Sequence, residues 1–447
     1  MRFTLIAVLA CVAACGPSDS PHGQGSNDAA PLCEGDACTC EQRGLPPTTV
    51  SGTVYAPNGT LQLFGVNVYI PKTDPGPLAA GLLCTHCMDE LPGGAKAQTT
   101  SGEHGEFTLQ EGVEVGVNVP LVIQVGRWRK QVVVPEVREC QDNLVDQAMT
   151  TLPKTKSEGD MPKIAIVTGQ YDSLECLVRK IGVADSEFTA DTGAGQVHLY
   201  ASNGANQLVD GTMFSTGHSL WGDAAKMKGY DFALFSCEGN LDATLVTSKT
   251  QAEMDNVQSF ADAGGRLFMS HYHNIWIDGR KSPQAGDPAP SAAWQATMVC
   301  SDLHPLTNTT IEAVIDQMHN PKGPSFARWL QNVGGSTTLG NVTVSDARQT
   351  CDSADLNKVE QWAYTPGTAK PQVVQFTTPL TQSPADRCGK VVFSDMHVAS
   401  GSSSMPGDVA ASGTPFPMGC STTPLSPQEK ALAFMFFDIA SCVGPIL

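Results

Sequence analysis

Basic residues are scarce in this chain. Of 447 residues, 27 are Lys or Arg against 45 Asp or Glu, for a formal charge of −18. A phosphate-backbone binder needs a clustered cationic face, so nucleic acid is set aside as a partner. Long apolar runs are also missing. Beyond the first fifteen residues none approaches the roughly 20 that cross a bilayer as a helix. What abounds instead is punctuation: 43 Gly and 30 Pro predict many turns and loops. The length leaves room for two domains with cores of their own.

Met1 and Arg2 give a short positive start, and an apolar run follows from Phe3 to Ala14. That is a secretion signal. Its end, Val12-Ala13-Ala14-Cys15-Gly16, resembles the lipobox of bacterial lipoproteins. The resemblance implies lipidation of Cys15, with residues 1–15 as signal and lipobox. Several acyl chains, each adding about 0.8 kcal/mol per buried CH₂, would hold the protein on the membrane. Cys11 is a second candidate with poorer flanks. Gly16 rather than Asp after the cysteine implies the outer membrane of a Gram-negative bacterium. Residues 16–45 then read as a flexible, Cys-containing tether, poor in anything to bury.

Setting aside Cys11 and Cys15 leaves 13 of the 15 cysteines. In an exported protein most should pair, and an odd count leaves at least one thiol over. Cys84-Thr-His-Cys87 is a CxxC, for which disulfides outweigh zinc in that compartment. Spacing does not assign the partners.

Residues 46–152 read as a small β-sandwich. Thr48-Thr-Val-Ser-Gly-Thr-Val-Tyr55, Val66-Asn-Val-Tyr-Ile70, Glu106-Phe-Thr-Leu109, Leu121-Val-Ile-Gln-Val125 and Gln131-Val-Val-Val134 are strand-like, with turns between. Val50-Ser-Gly-Thr-Val54, Phe64-Gly-Val-Asn-Val-Tyr69 and Thr99-Thr-Ser-Gly-Glu-His-Gly-Glu-Phe107 resemble the carboxypeptidase regulatory-like family, a transthyretin-like sandwich. That resemblance implies a non-catalytic module, here with an insertion from Pro71 to Lys96 that carries the CxxC. Trp128, within a basic spot from Arg127 to Lys130, is expected to pack on the sandwich edge. Residues 153–162 read as a polar linker.

Residues 160–447 alternate apolar strands with helices, which means a doubly wound, mostly parallel sheet. Lys163–Val167, Gln196–Tyr200, Tyr230–Phe235, Arg266–Ser270 and Lys390–Ser394 are the strands. Ser426-Pro-Gln-Glu429 is a capping box opening the last helix. Tyr230-Asp-Phe-Ala-Leu-Phe235, Val257 to His271 with its Ala-Gly-Gly-Arg-Leu, and Val391-Val-Phe-Ser-Asp-Met-His397 resemble the class I glutamine amidotransferase-like fold, within it the ThuA-like branch. The resemblance implies a Gly-x-Cys-x-Gly elbow after the fourth strand. The matching stretch is Met269-Ser270-His271-Tyr272-His273, with no Cys and no Gly, so amidotransferase chemistry is not expected. A long insertion, about 278–389, brings strands of its own at Lys358–Tyr364 and Pro371–Thr377.

Ligands of such sheets bind at the carboxyl ends of the strands. Cys237-Glu238, His271-x-His273 and Asp395-x-His397 all fall there. Alternation predicts that His271 and His273 share a side, as do Asp395 and His397. If the two strands are neighbours, four donors converge on one divalent metal, zinc by its donor set. Rim hydrogen bonding is the competing role. Cys237 is expected to pair with Cys176, and its rival role is a nucleophile with His271 as base. Glu238 is a general base or a rim acceptor. No residue is read as binding an organic cofactor.

Two functions stay open. One is a membrane-anchored envelope lipoprotein that binds a polysaccharide or an envelope protein. The other is a hydrolase, metal-dependent through His271, His273, Asp395 and His397 or thiol-dependent through Cys237, acting on carbohydrate or envelope substrates. A sugar-processing role rests on the ThuA-like resemblance alone.

Overall fold

A computed structural model describes residues 38–239, 249–280, 283, 285–301, 310–397 and 414–444. The signal, the lipobox with Cys15 and most of the tether lie outside the described residues. The chain divides into two compact units, Met1–Pro46 and Pro47–Leu447. In the first, residues 39–44 form a turn in which Arg43 N–H donates to Thr39 O at 3.1 Å. No helix among the described residues is long and apolar enough to cross a membrane.

The second unit opens with seven strands: β1 (Thr49–Thr53), β2 (Asn67–Pro71), β3 (Ala95–Thr100), β4 (Glu106–Leu109), β5 (Gly116–Val125), β6 (Trp128–Val137) and β7 (Asp142–Leu144). They form two sheets, ordered β4-β1-β7 and β3-β2-β5-β6. Alternation is the cause: Val50, Val68, Ile70, Phe107, Leu109, Leu121 and Ile123 are buried, and their neighbours in sequence face the other way. Residues 72–94 hold no strand. Disulfides Cys84–Cys388 and Cys87–Cys442 fasten this insertion instead.

The remaining strands are β8 (Ile164–Val167), β9 (Phe188–Ala190), β10 (Val197–Tyr200), β11 (Phe232–Phe235), β12 (Arg266–Ser270), β13 (Met298–Cys300), β14 (Ile311–Ile315), β15 (Asn341–Val344), β16 (Cys351–Ala354), β17 (Glu360–Tyr364), β18 (Pro371–Thr378) and β19 (Gly389–Ser394). Ten build one sheet in the order β15-β14-β17-β18-β19-β12-β11-β8-β10-β9. From β19 to β9 every pairing is parallel. From β15 to β19 every pairing is antiparallel. The sheet is therefore mixed, where a mostly parallel one was expected. The insertion does not stand apart; β14, β15, β17 and β18 extend the sheet edge. Its other two strands, β13 and β16, form a ribbon closed by Cys300–Cys351.

The central strands are buried along their whole length, Ile164–Val167, Phe232–Phe235 and Arg266–Ser270 alike. Helices cover them. The helix Gln251–Asp262 starts in a capping box: Glu253 N–H donates to Thr250 Oγ1 at 3.3 Å and Thr250 N–H to Glu253 Oε2 at 2.7 Å. The C-terminal helix Pro427–Ala440 starts with the Ser426/Glu429 box read from the sequence. Ala431 through Phe437 are all buried in it, because the sheet lies on one side and the sandwich on the other.

Trp128 marks that junction. It is fully buried, with ring centroids 5.5 Å from both Phe436 and Phe437. Trp329 Nε1–H donates to Gln62 O at 2.9 Å. Residues 153–162, expected as a polar linker, are mostly exposed from 154 to 158 but anchored at both ends. Leu152 and Met161 are buried, and Arg129 bonds Asp160 through backbone and side chain. One apolar core runs from Val50 to Ala440 through both parts.

Candidate metal centre

Three neighbouring parallel strands end alike. β11 closes on Phe235-Ser236-Cys237, β12 on Met269-Ser270-His271, and β19 on Phe393-Ser394-Asp395. The register pairs Phe235 with Met269, Met269 with Phe393, and Ser270 with Ser394. One residue past the serine rung stand Cys237, His271 and Asp395, on tips roughly 4.8 Å apart. The expected adjacency of the fourth and last parallel strands is thus present.

The chain then departs from simple alternation. His271 has φ +46°, in the left-handed region, which is uncommon for a side chain with Cβ. It turns the strand into the 3₁₀ helix His271–Trp276. The turn aims His271 at Cys237, with Nδ1 3.1 Å from Sγ. His397 comes from two residues past Asp395, its ring centroid 4.8 Å from that of His271 at 79°. One donor atom each from Cys237, His271 and His397 all lie within 4.8 Å of one another. The three residues are 0%, 2% and 2% exposed.

Backbone packing holds Cys237 in place. Tyr171 N–H donates to Cys237 O at 3.2 Å. A Cβ on Gly169 would meet that oxygen at 2.2 Å, so only glycine lets the β8 loop pass. Gly239, at φ +76°, would drive a Cβ into the Tyr171 ring. Burial pushes the Cys237 thiol well above its ordinary value, while N–H groups of Tyr272 and Gly239 pull it partly back. Left to itself the group is a neutral thiol.

Asp395, expected as a fourth donor, is fully buried but is not in the group whose donor atoms meet. Its Oδ2 accepts Thr350 N–H at 2.8 Å, and Oδ1 has no hydrogen-bond partner among the described residues. Burial pushes this carboxyl up to about 7.

The other two expected site residues are engaged elsewhere. His273 Nε2–H donates to Ser236 O at 2.9 Å, and its Nδ1 accepts Trp276 Nε1–H at 2.8 Å. Burial pushes it down to about 4. It is a neutral imidazole with both nitrogens used, so the structure does not bring it to the metal set. The 3₁₀ turn is the reason, since it replaces the extended backbone that alternation assumes. Glu238 pairs with Lys249 at 2.9 Å and accepts Ser202 Oγ–H at 2.7 Å. Burial alone would raise its carboxyl; the Lys249 ammonium outweighs that and holds it below the ordinary range. Glu238 is an ion-pair partner rather than a free base.

Cys176 does not pair with Cys237. It bonds Cys420, because the helix Leu174–Lys180 turns it into the apolar core that also takes up Cys420. Cys237 is the free cysteine among the described residues. The disulfides Cys84–Cys388, Cys87–Cys442, Cys176–Cys420 and Cys300–Cys351, with Cys38, Cys40 and Cys140 bonded as well, fit an oxidising compartment.

Sequence reading missed an acidic element beside the centre. Asp172, Ser173 and Glu175 follow β8 and are buried. Burial pushes Glu175 up to about 8, and the Asp172 charge reaches both Glu175 and the Cys237 thiol. A strand tip followed by Tyr-Asp-Ser-Leu-Glu was a readable signal, since this strand shares its edge with the other three.

A soft thiolate with two imidazoles is a donor set for zinc. Tetrahedral ligands at zinc distances stand about 3.5 Å apart, so the three donors need only small movements to close on an ion.

No known protein family matches the chain, and no curated protein does. Among solved structures, a type II cohesin–X-dockerin complex from Acetivibrio cellulolyticus is similar at 15% identity and TM-score 0.16, over 33% of this chain and 78% of that one. The exo-β-1,4-mannosidase Op5Man5 from Opitutaceae bacterium strain TAV5 is similar at 9% and TM-score 0.23, over 53% of this chain and 31% of that one. The β-galactosidase Gan42B is similar at 9% and TM-score 0.22, over 56% of this chain and 28% of that one. Scores this low carry neither a shared fold nor a shared activity.

Proposed function

We propose that this chain is an exported protein, lipid-anchored at Cys15 in the outer membrane of a Gram-negative bacterium, and a metal-dependent hydrolase. The observation that carries the catalytic part is the meeting of Cys237, His271 and His397 donors within 4.8 Å at the carboxyl edge of the sheet. Three protein ligands leave a fourth position, which in catalytic zinc sites holds a water made acidic by the ion. Asp395 stands on the same row of strand tips, two residues before His397, but its carboxyl lies outside the donor group and accepts Thr350 N–H. The anchor is supported by the lipobox-like Val12-Ala13-Ala14-Cys15 and by the disulfide content.

A thiol hydrolase is the second reading, favoured by the 3.1 Å Cys237–His271 contact. Burial, which pushes the Cys237 thiol up and keeps it in the protonated, weakly nucleophilic form, argues against it. Metal analysis separates the two. Protein purified without nickel affinity should carry about one zinc per chain. His271→Ala and His397→Ala should each lose it while remaining folded, and His273→Ala should keep the metal. A metal-free protein that takes up no zinc, and whose Cys237 thiol reacts rapidly in the native state, would support the thiol enzyme and end the metal reading.

A further inference from the structure

A cavity of 820 Å³ lies at the amino end of the sheet, away from the Cys237 centre. Its volume is within the range of small-molecule sites. One wall is the outward face of the β3-β2-β5-β6 sheet. The register sets Asn67 beside Thr100 and Gln124 on one rung, and Gln98 beside Tyr69 two residues along. Period two puts these side chains on one face, opposite the buried Val68 and Ile70. The facing wall is the start of β11 and β12 and the end of the C-terminal helix. The 72–94 insertion forms the roof, held by its two disulfides and by Tyr69 Oη–H donating to Pro92 O at 3.1 Å.

The ionised groups deep in this cavity are matched already. Arg127 meets Asp231 at 2.6 Å, and Lys322 meets Asp438 at 2.6 Å. Arg266 donates to the carbonyls of Gly264, Cys388 and Ser441. Asp89 and Glu90 also line it, but both are exposed, where solvent and salt screen them. A charged ligand finds no buried counter-charge to claim. What is left unmatched is neutral. Among the described residues no hydrogen bond engages the side chains of half-buried Asn67 or of exposed Gln98 and Thr100, and the half-buried ring of Phe64 lies in the same lining.

We propose that this cavity binds a neutral saccharide of about one or two rings. Amides and a hydroxyl each offer both donor and acceptor, as a sugar hydroxyl does, and an aromatic ring takes the apolar face of a pyranose. The roof is cross-linked to the opposite wall, so the site is formed before the ligand arrives, which limits the ordering cost of binding. This inference is independent of the metal centre.

The test is calorimetric titration of the full chain with glucose, mannose, galactose, N-acetylglucosamine, cellobiose and trehalose. Glucose 6-phosphate, glucuronic acid and a neutral tripeptide serve as controls. Trp329 lines the cavity and reports by fluorescence. At least one neutral sugar should bind below about 1 mM. Asn67→Ala with Gln98→Ala should weaken it about 10-fold or more, with an unchanged melting curve because neither residue is in the core. Thr100→Trp, which fills the face, should abolish it, and Cys237→Ser should leave it unchanged. The proposal falls if no neutral sugar binds by about 10 mM, if a charged control or the peptide binds more tightly, or if both cavity variants keep full affinity.

Discussion

Replacing Glu238 by Gln keeps its shape and removes its charge. Lys249, whose side chain is 2% exposed, then loses the Glu238 carboxylate. At 2.9 Å, with an effective dielectric near 20, the lost attraction is about 6 kcal/mol. The whole of it is not forfeited. Lys249 Nζ lies 5.1 Å from the Trp221 ring and 5.6 Å from that of Trp276, and those faces keep about 1–2 kcal/mol of attraction for the ammonium. Gln can also still accept the Ser202 hydroxyl. The net expectation is a loss of about 3 kcal/mol, in line with broken buried pairs. Because folding holds the Glu238 carboxyl below its ordinary 4.5, the pair's contribution is complete above that pH. It drains as pH falls through the lower folded-state value. Urea unfolding followed by circular dichroism, with disulfides intact, measures the loss. Adding Lys249→Met should recover most of it, since the buried ammonium is then removed together with its Glu238 counter-charge. A Glu238→Gln protein within about 0.5 kcal/mol of the parent would refute the ion-pair assignment, and so would loss of bound zinc from a variant that stays folded.

Two further outcomes are expected. Glu175 holds its proton up to about 8 in the folded chain against an ordinary 4.5, so metal-free protein should lose stability as pH rises across that window, by up to about 1.4 kcal/mol per pH unit. Glu175→Gln should flatten that slope and gain most above its upper end; unchanged pH profiles in unfolding experiments would show that Glu175 is solvated. Trp128→Ala should cost about 3–5 kcal/mol by opening the junction with Phe436 and Phe437, and a protease-resistant, fully stable variant would contradict the shared core.

Much of the architecture was legible because it follows from periodicity. Val66–Ile70 alternates and is half of a sandwich face. Phe232–Phe235 is apolar throughout and is buried on both sides. Ser426 and Glu429 satisfy each other's backbone N–H groups as their spacing predicts. The carboxyl edge as the place for chemistry also came from topology, and β12 and β19 do lie side by side. What resisted reading depends on tertiary detail. A single left-handed residue, His271, separates two histidines that alternation had put together. Cys176 and Cys237 both sit near the same edge, yet the pairing is decided by which way one helix turns. The insertion strands carry no mark of being sheet extensions, because edge pairing is a backbone interaction open to many side chains. The repeated apolar-Ser-X ending of three strands was in plain view, and it places Cys237, His271 and Asp395 on one row before any coordinates are known.

Cobalt substitution tests the central claim most directly. Replacing any bound zinc with Co²⁺ should give a tetrahedral visible spectrum together with a near-ultraviolet thiolate-to-metal charge-transfer band. Cys237→Ser should remove that band, and His273→Ala should leave it intact. A cobalt spectrum with no thiolate band, or one that survives the loss of Cys237, would contradict a centre built from Cys237, His271 and His397.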